Sequence, residues 1–279
     1  MDFAQYAFFG EDSDSLSIRM INSFFDELQA PAVCIPFPAD GAMFLSALSV
    51  LRKNFAGFNV SADYAFMMAP HIDKLDMTSK NTGSVSTVKS QGGKTTGYDT
   101  DCMGFERSLQ GFMEDAGGGD ILMIGADGLA YPAGHVLLKT APRLFIFSGD
   151  AVKARMLRER LSVYGDGRRI RILGELSGSE KFPAVFNTQI NKNGGVMENI
   201  PEGVFRNAAY AYDVNPAATE FLRTAARNGA KTKDGFDYLF FKSLETVKIW
   251  LEKPDISLDT VSKVYGRLRT QEINVLPLP

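Results

Sequence analysis

Asp99 and Asp101 stand two residues apart in the run "GYDTDCMGF" (97–105), between Gly97 and Gly104. They close a short polar strand, "GGKTTGYDTD", and precede a helical pattern, "GFERSLQGFMEDA". Carboxylates at such a corner suit two jobs. One is to cap the helix by accepting backbone N–H groups that its first turn leaves unpaired. The other is to face a cleft as an acid that takes and gives a proton. Other reactive side chains are sparse. Cys102 follows Asp101, but no base is recognisable beside it to activate a thiol. His71 and His135 each lack a second His or Cys nearby in sequence, so both read as packed or capped side chains, and no metal site is expected.

The acids must be positioned by an alternation of strands and helices. "YAFFG" reads as a strand, and "SLSIRMINSFFDELQA" as an amphipathic helix with Ile18, Ile21, Phe24, Phe25 and Leu28 spaced to face a core. "PAVCIPFPA", "AMFLSALSVLRKN" and "FAGFNVSA" continue the alternation as strand, helix and strand. That order implies a mostly parallel sheet, whose ligands sit beyond the carboxyl ends of the strands. A helix is expected over "YAFMMAPHIDKL", kinked near Pro70. A hairpin around Gly92-Gly93 follows in "TGSVSTVKSQGGKTTGYDT".

The composition breaks at Gly117-Gly118-Gly119. After it, "DILMIGADGLAYPAGHVLL" and "RLFIFSGDAVKARMLRERL" each read as strand, turn and helix, the opening of a dinucleotide-binding unit. Gly125 and Gly128 suit a loop that lets a diphosphate approach a helix N-terminus. Asp127 stands where the second glycine of GxGxxG belongs, and its charge would repel that ligand while gaining from the helix dipole. "AVFNT", a polar loop over 189–195 and "AAYAYDVNP" come next, then a helix over 219–228 stopped by Gly229. "GFDYLFFKSLETVKIWLEKP" and the stretch 258–269 read as helices.

Composition narrows the class. The 279 residues are 45% hydrophobic and 23% charged, with a formal net charge of −3. These are ordinary globular values, and they provide no global attraction to nucleic acid or to an anionic membrane. The basic run Lys153, Arg155, Arg158, Arg160, Arg168, Arg169 and Arg171 is interleaved with Glu159 and Asp166 and reads as a solvated face. Two cysteines make no disulfide framework. The acidic N-terminal stretch lacks the features of a signal peptide, and no apolar run is long enough to span a bilayer. A soluble, cytoplasmic protein is expected, without nucleic-acid or membrane partners.

Several motifs together resemble the shikimate and quinate dehydrogenase family. Its SLS is Ser15-Leu16-Ser17, with Asn22 and Phe25 at the family's spacing. NVTxPxK is met by "NVSADYA" (59–65), GAVNT by "GSVST" (83–87) and GYNTDGxGF by "GYDTDCMGF". The glycine loop GAGGAA aligns with "GADGLA", INATP with "FNTQI", and the late NP-x-x-T and AxxxGAxTxxG stretches with Asn215-Pro216, Thr219 and "AARNGAKTKDG". The resemblance implies an α/β protein of two domains. A substrate-binding domain with a mostly parallel sheet would comprise 1–104 and 244–279, around an inserted Rossmann-like domain, 105–243. It also implies hydride transfer between a nicotinamide dinucleotide and the ring alcohol of a small cyclic carboxylate, by a monomer or homodimer. Carried over by position, Ser15 and Ser17 would hold the carboxylate. Asn59, Ser61 and Ser86 would line the pocket, and Asp101 would bind substrate and act as catalytic acid. Gly125, Ala126, Asp127, Gly128, Ser148, Asp150 and Asn187 would meet the cofactor.

The departures are informative. The family's catalytic lysine aligns with Ala65, its asparagine with Ser86, and a proline with Asp63. Its glutamine aligns with Lys242, whose ammonium either replaces the missing lysine as a catalytic group, holds a second anion, or snorkels from the helix surface. The arginine that pairs with the 2′-phosphate of NADP aligns with Gly149, which makes NAD the expected nucleotide, with Asp150 on its ribose. By the same alignment Asp63, Asp99 and Asp101 lie near one cleft, either around a cation or as solvated turn acids. Two functional readings follow. One is a divergent oxidoreductase in which Asp101 and Lys242 share the proton work. The other is a redox-inactive paralogue without a cofactor, which binds a shikimate-like ligand or runs a dehydration or isomerisation.

Overall fold

The chain divides into two compact units, Met1–Gly104 with Leu239–Pro279, and Phe105–Tyr238. The computed structural model describes residues 3–10, 15–113, 118–190 and 200–275, apart from the side chains of Ser15, Tyr164 and 272–275. Most of the loop expected over 189–195 lies outside the described residues.

The first unit opens with β1 (Ala4–Gly10), α1 (Ser15–Glu27), β2 (Ala32–Pro38), α2 (Phe44–Asn54) and β3 (Gly57–Val60). β1 pairs in parallel with both β2 and β3, as crossover helices require. β2 lies at the sheet edge and carries Pro36 and Pro38, where a missing N–H costs no ladder bond. Asn22 on α1 clamps it by hydrogen bonds to both Cys34 N–H and Cys34 C=O.

The helix expected over 64–75 is instead broken. α3 (Ala65–Met68) passes into a 3-10 turn, Ala69–His71, that holds Pro70, and β4 (Lys74–Leu75) follows. Proline has no N–H to continue the α-helical ladder, so the chain turns there. α4 (Met77–Thr82), absent from the sequence reading, is capped by Asp76 and ended by Gly83 at φ 68°. β5 (Thr87–Gln91) and β6 (Lys94–Tyr98) form the expected antiparallel hairpin, with Gly92 and Gly93 both at positive φ as a tight primed turn demands. The sheet order is β2-β1-β3-β5-β6-β4.

α5 (Thr100–Leu109) starts four residues before the expected Gly104 and stops short of the expected end near 116. Asp99 accepts the Cys102 N–H at its head, so Asp101 falls in the first helical turn instead of preceding it.

The second unit is regular. β7 (Ile121–Ile124), α6 (Ala130–Leu137), β8 (Leu144–Phe147), α7 (Ala151–Tyr164), β9 (Ile170–Leu173), β10 (Ala184–Asn187), β11 (Tyr210–Asp213), α8 (Glu220–Arg227) and β12 (Lys231–Lys233) follow in order. All strands are parallel, in the order β12-β11-β10-β7-β8-β9. Counted within the unit this is the 3-2-1-4-5-6 doubly wound order, with its switch point between β7 and β10. β7, β10 and β11 are buried on both faces, so their sequences are apolar runs rather than alternations.

α9 (Phe236–Leu251) and α10 (Leu258–Val275) complete the chain. The division between units falls within α9 at Leu239, ahead of the expected 244. In the first unit, Trp250 of α9 stacks on Tyr6 with ring centres 4.2 Å apart and donates Nε1–H to the Val88 carbonyl. Gly57 permits this approach, since a Cβ there would lie 2.5 Å from Val88 O and 2.7 Å from the indole nitrogen. α9 is thereby pinned against the sheet.

Candidate active site

α9 carries Lys242 into the interior of the first unit, where its Nζ lies 2.7 Å from Asp101 Oδ1. The two side chains are 5% and 2% exposed, so Lys242 does not snorkel from a helix surface. The Phe8 ring supplies a second neighbour, its centre 5.9 Å from the ammonium. Such a pair survives burial only because each charge meets the other at short range. Asp101 is held from behind, its backbone N–H donating to Ser86 Oγ at 3.0 Å.

A buried cluster of hydroxyls and one amide adjoins the pair through Ser86. Thr100 Oγ1 lies 3.1 Å from Ser86 Oγ and 2.7 Å from Thr87 Oγ1. Asn59 Nδ2 donates to Ser86 O, Thr87 Oγ1 and Thr246 Oγ1. Asn59 Oδ1 is buried without a hydrogen-bond partner, an acceptor left open in a place where open acceptors are costly. The expected pocket residues Asn59, Ser86 and Asp101 are therefore joined in one network. Thr87, Thr100 and Thr246 were missed, because nothing in the sequence marks a threonine as internal to a polar cluster.

Asp99 serves as the cap. Its Oδ1 accepts from Cys102 N–H at 3.1 Å, and its own N–H donates to Thr78 Oγ1. Burial, and then the neighbouring Asp101 charge, push its carboxyl up to about 6, while the Thr82 hydroxyl and the Cys102 amide work the other way. Neither acid is the solvated turn residue considered above, since both are almost fully buried. Asp63 is exposed, and no metal-binding group of three ligands exists among the described residues. Cys34 and Cys102 are both buried and unbridged. Burial lifts the Cys34 thiol to about 12, so it is inert at neutral pH.

Of the remaining expected substrate residues, Ser17 is fully buried on α1 and Ser61 is half-buried before the 3-10 turn Ala62–Tyr64. The Ser15 side chain lies outside the described residues. Ala65 is buried at the head of α3.

In the second unit the expected cofactor residues gather at the carboxyl ends of β7, β8 and β10. Gly125 has φ +102°, and a Cβ there would come within 2.7 Å of Gln189 Cγ and 2.8 Å of Thr188 Oγ1, so only glycine makes this turn. Ala126 and Gly128 are half-buried on the same turn into α6. Asp127 is ion-paired with Lys153 on the first turn of α7, Nζ to Oδ1 2.5 Å. That neutralises the charge expected to repel a diphosphate. Lys153 had been read as part of a solvated face, and its place three residues after a capping Asp150 was the available signal.

Asp150 caps α7, accepting from Val152 and Lys153 N–H, and its own N–H donates to Ser148 Oγ. The Lys153 amide, with other partners, holds its carboxyl below the usual range. Asn187 braces the strand ends, donating to Asp213 Oδ1 and accepting from Gln189 N–H. A dinucleotide fits this set. The backbone of 125–128 at the head of α6 suits a diphosphate.

Sheet order and the glycine turn define a two-unit α/β protein whose second unit has the doubly wound dinucleotide-binding order. Residues 11–88 match the shikimate dehydrogenase substrate binding domain. The shikimate dehydrogenase (NADP(+)) of Methanococcus maripaludis strain C6 is 31% identical over 211 residues, 72% of this chain and 74% of that protein. Its counterpart in strain C7 is 30% identical over 253 residues, covering 87% and 89%. The chain belongs to the shikimate dehydrogenase family. Its fold is similar to that of the Thermus thermophilus shikimate 5-dehydrogenase solved with NADP(H) and shikimate, with a TM-score of 0.79, 19% identity, and coverage of 95% and 99% of the two chains. No helix among the described residues is long and apolar enough to cross a membrane.

Proposed function

We propose that the protein interconverts a ring alcohol and a ring ketone on a small cyclic carboxylate of the shikimate class, with NADP(H) as redox partner. The observation that carries this reading is the Lys242–Asp101 pair, 2.7 Å apart and buried, which restores the cation lost at Ala65. A nicotinamide dinucleotide held at the 125–128 turn would supply or take the hydride. In the reducing direction the Lys242 ammonium donates to the carbonyl oxygen and releases its proton there as the alcohol forms. Asp101 stays anionic, orients the amine, and stabilises it when it is recharged from water. In the oxidising direction the amine takes the hydroxyl proton. Because Asp101 already neutralises Lys242, the ammonium is not free to hold a second anion, which leaves the substrate carboxylate to Ser15 and Ser17. Asn59 Oδ1, buried and unpartnered, accepts from a ligand hydroxyl.

NADP replaces the NAD expected from Gly149. Its support is the NADP(+) in the relatives' names and Lys153 at the start of α7. The redox-inactive reading rested on the losses at Ala65, Asp127 and Gly149; against the first two stand Lys242, buried beside Asp101, and Lys153, paired with Asp127. Steady-state assays with NADP+ and NAD+ against shikimate, quinate and other cyclic hydroxy acids test the proposal. Turnover with NADP+ that Lys242→Met removes is the expected result. Shikimate binding by calorimetry, with no dinucleotide binding and no turnover, would overturn it in favour of the inactive paralogue.

A further inference from the structure

The Lys242–Asp101 pair is assembled from two helices, α5 and α9. Besides that pair and the stacked rings of Phe105 and Tyr238, buried hydroxyls link them through β5. Thr87 Oγ1 on β5 meets Thr100 Oγ1 of α5 at 2.7 Å, Thr246 Oγ1 of α9 at 3.0 Å and Asn59 Nδ2 at 2.6 Å. Asn59 Nδ2 also reaches Thr246 at 3.2 Å. All four residues are fully buried. From Thr100 the chain of contacts runs through Ser86 Oγ to the backbone N–H of Asp101.

Thr246 lies one helical turn beyond Lys242, so both project from the same face of α9. Apolar packing alone tolerates small rotations of a helix, whereas buried hydrogen bonds are directional and costly to leave unmade. We propose that Thr246 is a positioning residue: bonded to Thr87 and Asn59, it sets the rotation of α9 that holds the Lys242 ammonium against Asp101. The proposal rests on reading that pair as the proton-handling group.

Thr246→Val keeps the volume and removes the hydroxyl, and Thr246→Ser keeps the hydroxyl. The expected result is a kcat lowered on the order of tenfold or more in Thr246→Val, because small displacements of a reacting group are expensive. The KM for NADP+ stays unchanged, and Thr246→Ser stays within about twofold of the parent. A second readout needs no turnover. In protein carrying 15N-lysine, the Lys242 ammonium signal, assigned by its loss in Lys242→Met, shifts or broadens in Thr246→Val and not in Thr246→Ser. If Thr246→Val does not fold, Thr246→Ala fits the same space and takes its place. A lowered melting temperature with kcat and the ammonium signal both unchanged would overturn the proposal. If Lys242→Met leaves kcat intact, the reading of the pair fails instead, and the ammonium signal alone decides whether Thr246 positions it.

Discussion

Lys242 on α9 and Asp101 on α5 meet at 2.7 Å inside the first unit, while the buried start of α3 offers only Ala65. Under the proposed function, Lys242 of α9 would take the cationic role that Ala65 cannot fill, beside Asp101. Lys242→Met is expected to lower kcat by about 10²–10⁴, the range for removing a positioned acid–base group. It should also destabilise the fold by roughly 3–5 kcal/mol, since Asp101 is left buried and unpaired. Adding Asp101→Asn should return much of the stability and none of the activity. Denaturant titrations and steady-state kinetics of the two variants check both halves.

Asp99 gives stability a pH dependence whose sign follows from its raised carboxyl. The group titrates at about 6 when folded and at its ordinary value of 3.8 when free, so between these limits the folded state binds more protons. Its favourable contribution is complete below the lower limit and is lost as pH rises through the upper one. Asp99→Asn keeps an oxygen for the Cys102 N–H and removes the titration. Unfolding measured from pH 4 to 8 should show the downward slope flattened in the variant, which becomes the more stable protein above about pH 6. An unaltered slope would place the titrating group elsewhere.

Lys153 faces Asp127 from the first turn of α7 with both side chains half-exposed, so the pair itself adds little stability. Lys153→Ala should therefore leave the melting temperature within a degree or two, and weaken NADP+ binding about tenfold. NAD+ binding should weaken less, as it lacks the extra phosphate. Equal losses for both nucleotides would mean that Lys153 acts only by neutralising Asp127.

Gly125 holds a turn that no other residue makes, at φ +102° with Gln189 Cγ and Thr188 Oγ1 pressed against it. Gly125→Ala is expected to cost about 1–3 kcal/mol of strain and to abolish dinucleotide binding, with shikimate binding retained. Calorimetry with each ligand separately distinguishes that outcome from general unfolding.

Local patterns determined much of this protein. Apolar runs placed β7, β10 and β11, the Gly-Gly pair placed the β5–β6 hairpin, and the order of motifs announced both sheets, because period, turn chemistry and loop glycines act over a few residues. The helix over 64–75 was misread because its apolar residues carry a helical period that a single proline interrupts. Contacts between distant elements lie beyond such patterns. Lys242 read equally well as a snorkelling surface residue or as a catalytic cation. Asp127 looked like an uncompensated charge until α7 brought Lys153 beside it. Helical periodicity specifies which face of α9 is buried, but not what that face meets, and only packing of α9 on the sheet brings Lys242 to Asp101 and Thr246 to Thr87.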